Sequence, residues 1–403
     1  MVGLEPNEAP RSRQLALGAV VIGGDYQGLG VARSLGRRGI PVRVLDDERS
    51  VSRASRYVQG FHRVPSLRGE RETLSSLEDL RLRWGLDGWV LYPTRDETVA
   101  ALARHRDDLS RRWRVPVADW RAVQSCWDKR ETYRIAAEAG IPHPRTWVLR
   151  TASDLAAVHD AGPFVVKPAI KEHFFYQTGV KAWRVDHPRD LVRVVQRATE
   201  IVGDGEVLVQ QLVPGGGEEQ YAYCALVRDG RALARMTVRR RRQHPSDFGR
   251  ASTFVETVDL PHLEEPSLRF LSAIGYQGLV ELEYKRDRRD GEFKLLDVNA
   301  RTWGYHSLGA AAGVDFPYLL FRDQLGVGPP DSTLSTRAGV KWIRLLTDLP
   351  NAGRDIARGS LHPGDYLRTL RRLDTEAVLS LRDPLPWFYE VAHLPYLARH
   401  RSL

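Results

Sequence analysis

The sequence predicts a mixed α/β and α+β protein, with a small parallel-sheet unit followed by a larger region of paired antiparallel strands. Three observations carry that expectation. Up to about residue 118, short apolar runs alternate with helical patterns, the order that builds β-α-β units. Beyond that point apolar runs come in pairs joined by Asp229-Gly230 and Asp290-Gly291, residues that suit hairpin turns. A chain of 403 residues, 42% apolar and 28% charged, is also long enough for two or three cores and is not composed like a disordered one.

Taken in order, residues 1–14 are polar and contain proline, and read as a disordered lead. An apolar run at 19–22 ends in Gly23-Gly24, a loop leads to a helical pattern through Val31 and Leu35, and a strand at 42–45 closes on Asp46-Asp47. A strand at 89–92 and the loop from Pro93 to Asp96 complete an N-terminal domain over residues 15–118. Gly24, Gly28 and Gly30 invite a dinucleotide site with Asp46 on the ribose, but their spacing is not Gly-x-Gly-x-x-Gly. A tight strand-to-helix turn explains these glycines equally. An NAD(P)-dependent oxidoreductase using this domain stays open as an alternative. Residues Thr94 to Glu97 lie at a strand's carboxyl end, where open α/β sheets bind substrates, although helix capping also accounts for Thr94 and Asp96.

A second domain is expected over 119–335, with a small subdomain at about 145–212, and residues 336–403 follow as a C-terminal extension. A helix from Lys129 stops at Gly140 before Ile141-Pro142-His143-Pro144. A strand at 164–166 ends on Lys167-Pro168, and another at 207–209 leads into Gln210-Gln211-Leu212-Val213-Pro214 and three glycines. Hairpins are expected at 221–227 with 232–238 and at 279–284 with 293–298.

Composition excludes several classes. The net charge is +9, yet only seven of the 60 basic side chains are lysines, and the arginines spread along the whole chain. Arg239 to Arg242 form the one dense block, with no aromatic-interleaved basic stripe, so nucleic acid is not an expected partner. No apolar run approaches the roughly 20 residues of a membrane span, and the start lacks a signal-peptide segment. Cys126 and Cys224 offer neither a disulfide framework nor a metal-ligand spacing, which points to a reduced, cytoplasmic protein without thiol catalysis. Where lysine persists in so arginine-rich a chain, a compact ammonium suited to phosphate is implied.

The densest chemistry lies in Glu281-Leu282-Glu283-Tyr284-Lys285 and in Leu295-Leu296-Asp297-Val298-Asn299-Ala300-Arg301. Strand alternation puts Glu281 and Glu283 on one face, and Asp297, Asn299 and Arg301 on one face of the partner strand. Carboxylates and an amide oxygen converging there are hard donors of the kind Mg²⁺ takes alongside phosphate oxygens. Arg301 would then neutralise charge on a transferring phosphoryl group. A solvated, salt-bridged hairpin face is the plainer explanation. Upstream, Lys129 and Lys167 could fold over phosphates, the backbone of Gln210, Gln211, Leu212 and Val213 could meet an adenine edge, and Glu218 could accept a ribose hydroxyl. Taken singly, each of these is an ordinary residue.

In this order the set resembles the ATP-grasp superfamily of carboxylate–amine and carboxylate–thiol ligases. The resemblance rests on Lys129 in Asp-Lys-Arg-Glu-Thr-Tyr, Lys167 in Val-Val-Lys-Pro, the hinge from Gln210 to Gly215, and Glu283 with Asp297-Val298-Asn299-Ala300-Arg301. It spans roughly residues 19–330 and is similar in particular to a branch of ATP-dependent carboligases related to D-aspartate ligases and carbamoyl-phosphate synthase large-chain domains. Arg382-Asp383-Pro384-Leu385-Pro386 looks like that branch's tail.

The resemblance implies a Rossmann-like N-terminal domain that does not hold the nucleotide, and an ATP-grasp fold with ATP between two subdomains. Lys129 and Lys167 would hold the phosphates, Gln210 to Val213 the adenine, and Glu283, Asp297 and Asn299 two Mg²⁺ (or Mn²⁺) ions. The implied reaction is γ-phosphoryl transfer to a small or peptidic carboxylate, followed by capture of the acyl phosphate by an amine. A catalytically silent ATP-binding protein is a further alternative. Two departures stand out: residues 169–179 are bulky where many members carry a Gly-rich loop, leaving Lys171 or Lys181 to serve, and Gln210 stands where Glu is frequent. In the arginine block, alternation pairs Arg239 with Arg241, and Arg241 is the expected clamp for the substrate carboxylate or acyl phosphate. An edge strand blunted by charge explains the block equally. His306 is expected to be an ordinary packed or exposed histidine and not a general base. The aromatic residues Trp387, Phe388, Tyr389 and Tyr396, mixed with Arg399 and Arg401, are expected to pack in the core or at a homodimer contact, with an interfacial membrane or partner surface as the alternative.

Overall fold

All four residues of β1 (Ala19–Ile22) are buried, as an apolar run becomes when helices cover both faces of a parallel sheet. In the computed structural model, which describes residues 17–396 except 159, 161, 204, 245–250 and 329–331, the expected lead at 1–14 lies outside the described residues. Strands β1, β2 (Val42–Asp46), β3 (Gly60–Arg63) and β4 (Val90–Pro93) form a parallel sheet of order β3-β2-β1-β4. The order reverses between β1 and β4, so the loops after these two strands open a crevice at one edge of the domain.

A second sheet is wholly antiparallel, with β5 (Thr146–Leu149), β6 (Phe164–Pro168), β7 (Trp183–Val185) and β8 (Val207–Gln211) in the order β5-β8-β6-β7. The helix Pro188–Val202 covers it, and Val166, Val185, Leu191, Val195 and Val209 give it a core of its own.

The third sheet holds β9 (Gln220–Arg228), β10 (Arg231–His244), β11 (Ala251–Val258), β12 (Gly278–Arg286), β13 (Phe293–Asn299), β14 (Leu334–Ser335), β15 (Lys341–Ile343) and β16 (Thr375–Glu376). Its order is β13-β12-β9-β10-β11-β15-β16, with β14 beside β10. Asp229 (φ 51°) and Gly230 (φ 72°) close the β9–β10 hairpin in left-handed conformations, which Asp-Gly adopts with little strain. Residues expected as a C-terminal extension thus add β15 and β16 to the main sheet.

The same region binds the first domain. The buried Arg33 donates to Asp383 (2.9 Å) and to the carbonyl of Val378 (2.7 Å), and Ser55 Oγ donates to Asp383 (2.8 Å). One apolar cluster joins the first and third sheets through Val21, Leu29, Ala222, Met236, Trp303 and Trp342. No helix among the described residues is long and apolar enough to cross a membrane.

Candidate active site

The register of β12 against β13 sets Glu281 opposite Asn299 and Glu283 opposite Asp297. Asn299 Nδ2 donates to Glu281 (3.0 Å) and to Glu283 (3.0 Å), and Arg301 donates to Asn299 Oδ1 (3.2 Å). The Tyr305 hydroxyl donates to Glu281. Burial, then the charge of Glu283, pushes the Glu281 carboxyl up. Burial is the largest influence on Glu283 and acts upward as well, but Arg240, 2.5 Å away, and the charge of Lys181 together outweigh it and hold this carboxyl below its usual range.

Lys129 starts the helix Lys129–Glu138, and its ammonium lies 2.6 Å from Asp297. Lys167, on β6, donates to the Tyr133 hydroxyl (2.7 Å) and to Gln210 Oε1 (2.9 Å). Both lysines are only 8% exposed, which is unusual for ordinary surface lysines. Tyr133 went unnoticed in the sequence, although it lies four residues after Lys129 and so on the same helix face.

Lys129, Lys167, Gln210, Glu283 and Asp297 line one cleft of about 330 Å³ between the second and third sheets, while Glu281, Asn299 and Arg301 lie outside its lining. Lys129, Lys167, Lys181, Arg240, Lys285, Glu283 and Asp297 supply its charged wall, and Val165, Leu212 and Val213 its apolar one. The hinge enters it as expected, but differently from a free edge. The Gln210 side chain is buried between Lys167 and Thr146 (2.7 Å), and the N–H groups of Gln211 and Leu212 already donate to the carbonyls of Arg145 and Pro163 (2.9 Å each).

Two expected residues, Arg241 and Glu218, stand elsewhere. Arg241 points away from the acids, with its side chain 44% exposed and paired with Glu256 (2.6 Å). The inward residue is Arg240. It shares parity with the buried Ala234, Met236 and Val238, and that apolar alternation was the sequence signal for its face. Glu218 is outside the cleft lining and paired with Arg288 (2.9 Å). Arg301 stays beside Asn299 but also donates to Asp96 (2.8 Å), which ties the metal-type cluster to the loop after β4. The bulky segment forms the helix Lys171–Thr178 in place of a Gly-rich loop. Its Tyr176 hydroxyl donates to Glu97 of the first domain and lies under Arg68, 4.1 Å from the ring centroid.

Asp46, the would-be ribose acceptor, takes a hydrogen bond from Gly24 N (2.6 Å) and an ion pair from Arg95 (2.8 Å), which also reaches Asp47 (2.6 Å). His306 is buried with Nε2 against the Gln27 carbonyl (2.9 Å), and burial pushes both cysteine thiols up, away from nucleophilic thiolate.

Glu281, Glu283, Asp297 and the Asn299 amide are hard oxygen donors that suit Mg²⁺. Among the described residues no three His, Cys, Asp or Glu side chains already gather as a ready metal cage. Lys129, Arg240 and Arg301 neutralise the donors instead, and the Asn299 amide turns its NH₂ toward both glutamates, an orientation inferred from the bonding pattern. The donor chemistry fits a divalent ion, and a half-turn of that amide would present its oxygen.

Solved structures share this architecture. The L-amino acid ligase of Bacillus licheniformis aligns with a TM-score of 0.59 over 78% of this chain and 75% of its own, at 18% identity. The biotin carboxylase domain of Hydrogenobacter thermophilus 2-oxoglutarate carboxylase, in complex with MgADP, ADP and bicarbonate, aligns with a TM-score of 0.65 over 81% and 73%, at 14% identity. By fold and by these matches the chain is similar to proteins of the ATP-grasp class, ligases among them. Within that class, the family described as ATP-grasp in the biosynthetic pathway with Ter operon matches residues 206–345. The D-aspartate ligase of Enterococcus faecium (strain Aus0004) is 23% identical over 303 residues, 70% of each chain.

Proposed function

We propose that this chain uses ATP with divalent magnesium to activate a small or peptidic carboxylate as an acyl phosphate, which an amine then captures to form a C–N bond. The observation that carries the reading is a single cleft lined by two buried lysines, Lys129 and Lys167, together with the acids Glu283 and Asp297. The similarity to D-aspartate ligase and L-amino acid ligase supports an amide-forming reaction, and the MgADP in the biotin carboxylase domain supports the nucleotide and the ion.

Lys167 and Lys129 would bind the triphosphate, with Lys129 released from Asp297 as the phosphates arrive. Gln210 fixes Lys167, while Leu212 and Val213 supply the apolar floor for the base. Glu283, Asp297 and Asn299 would hold two Mg²⁺ ions, whose chemistry is charge neutralisation on the triphosphate. Arg301, held by Asp96, would face the transferring group from the first domain. A substrate carboxylate oxygen attacks the γ-phosphorus, the bond to ADP breaks, and the amine then displaces phosphate from the acyl carbon. Positioning and charge compensation suffice for both steps.

A screen of ADP release with Mg²⁺ across amino acids and small carboxylic acids tests the reading. Turnover is expected with a carboxylate–amine pair, and Asp297→Ala should abolish it, with circular dichroism at the assay temperature verifying that the variant is folded. Unchanged turnover in Asp297→Ala would remove Asp297 from the metal-binding role.

A further inference from the structure

The segment around residues 379–394 carries a face that the ligase site does not use. Leu381 is 97% exposed, Leu385 60%, Phe388 64% and Val391 42%. The last three repeat every third residue along the helix Leu385–Ala392 and form one stripe, while Pro386 and Glu390 on the opposite side are buried. Glu390 grips the buried Arg344 (2.6 Å), which fixes the face that looks outward.

Four exposed arginines bracket this stripe. Arg382 and Arg56 stand at its start, where the Arg56 N–H donates to Asp383 (3.0 Å). Arg53 belongs to the turn Val51–Ala54, on which the helix packs. Arg49 stands at the far end, its guanidinium 5.5 Å from the centre of the Tyr396 ring. Among the described residues, none of these four forms an ion pair with a carboxylate. The nearby acids Asp383 and Glu390 are each 1% exposed and engaged by Arg33 and Arg344.

We propose that this face is a peripheral docking surface for an anionic lipid bilayer. Its apolar side chains protrude from a convex helix, a shape that enters the acyl boundary of a membrane more readily than it fills a protein groove. Unpaired arginines on its flanks complement lipid phosphates, and basic charge plus one shallow apolar stripe gives reversible attachment. A second copy of this chain would present the same unpaired arginines and repel this face, so the charge favours lipid over a homodimer.

Sedimentation of the full chain with vesicles of phosphatidylglycerol and phosphatidylcholine in equal parts, and of phosphatidylcholine alone, tests the proposal. Affinity for the anionic vesicles should exceed that for the neutral ones by about tenfold or more and fall with added salt. Phe388→Asp should weaken binding about tenfold or more, and the double variant Arg49→Glu/Arg53→Glu should abolish the preference for anionic lipid. Both variants alter exposed residues, and an unchanged melting temperature verifies their folding. Equal recovery with anionic and neutral vesicles overturns the proposal. So does a dimer in analytical ultracentrifugation that Phe388→Asp returns to monomer, an outcome that gives the face to a second copy.

Discussion

Arg240 is 4% exposed and reaches Glu283 at 2.5 Å, whereas its neighbour Arg241 meets Glu256 in partial contact with water. A surface pair of the second kind contributes little, while removing one partner of a buried pair strands a charge. Arg240→Leu should therefore lower stability by about 3–5 kcal/mol, and Arg241→Leu by less than about 1 kcal/mol, as read from urea denaturation midpoints. Equal losses would mean that burial does not separate these two arginines. The same pair shows where sequence reading stops. Alternation defines two faces of β10 but not which one is inward until the apolar run at 234, 236 and 238 is used as the reference. Lys129, Lys167, Glu283, Asp297 and Asn299 were legible because their residue types are rare or costly to bury in this chain. Glu218 was not, because its alternative partner Arg288 lies 70 positions away.

The β12–β13 hairpin is the element on which the cluster depends. Its turn is clamped by Asp287, which is fully buried and accepts from Arg289 (2.6 Å) and Lys294 (2.8 Å). The hydrogen bond from Arg289, then that from Lys294, holds the Asp287 carboxyl far below its usual range. A depressed acid stabilises the fold in full above its unfolded pKa of about 3.9, and that contribution is lost as pH falls from there through the folded value. Asp287→Asn should cost about 1–3 kcal/mol at pH 7, with the gap to the unaltered protein closing as pH drops below about 4. A gap that stays constant down to pH 2 would show that the carboxylate charge is not what clamps the turn. Both hairpins were foreseen because Asp-Gly turns advertise them. The helix Lys171–Thr178 was not foreseen, since its outward contacts, Tyr176 with Glu97 and Arg68, come from another domain.

At the scale of the whole molecule, the parallel first domain and the two later sheets follow from the alternation of apolar runs and turns. The division at residue 335 reads differently in three dimensions. Strands of two or three residues, such as β15 and β16, carry too little pattern to be seen in a sequence, and Arg33 meets Asp383 across 350 positions. A chain ending at residue 335 should lose β15 from beside β11 and the Asp383 anchor from the first domain. Its soluble fraction on expression should fall sharply against the full chain, and a soluble, monomeric truncated product would show that the two strands are dispensable. On the ribosome, this arrangement makes completion of the central sheet a late event. Until residues 341–343 emerge, β11 offers its edge at Phe254 to Glu256 unpaired to any neighbouring nascent chain.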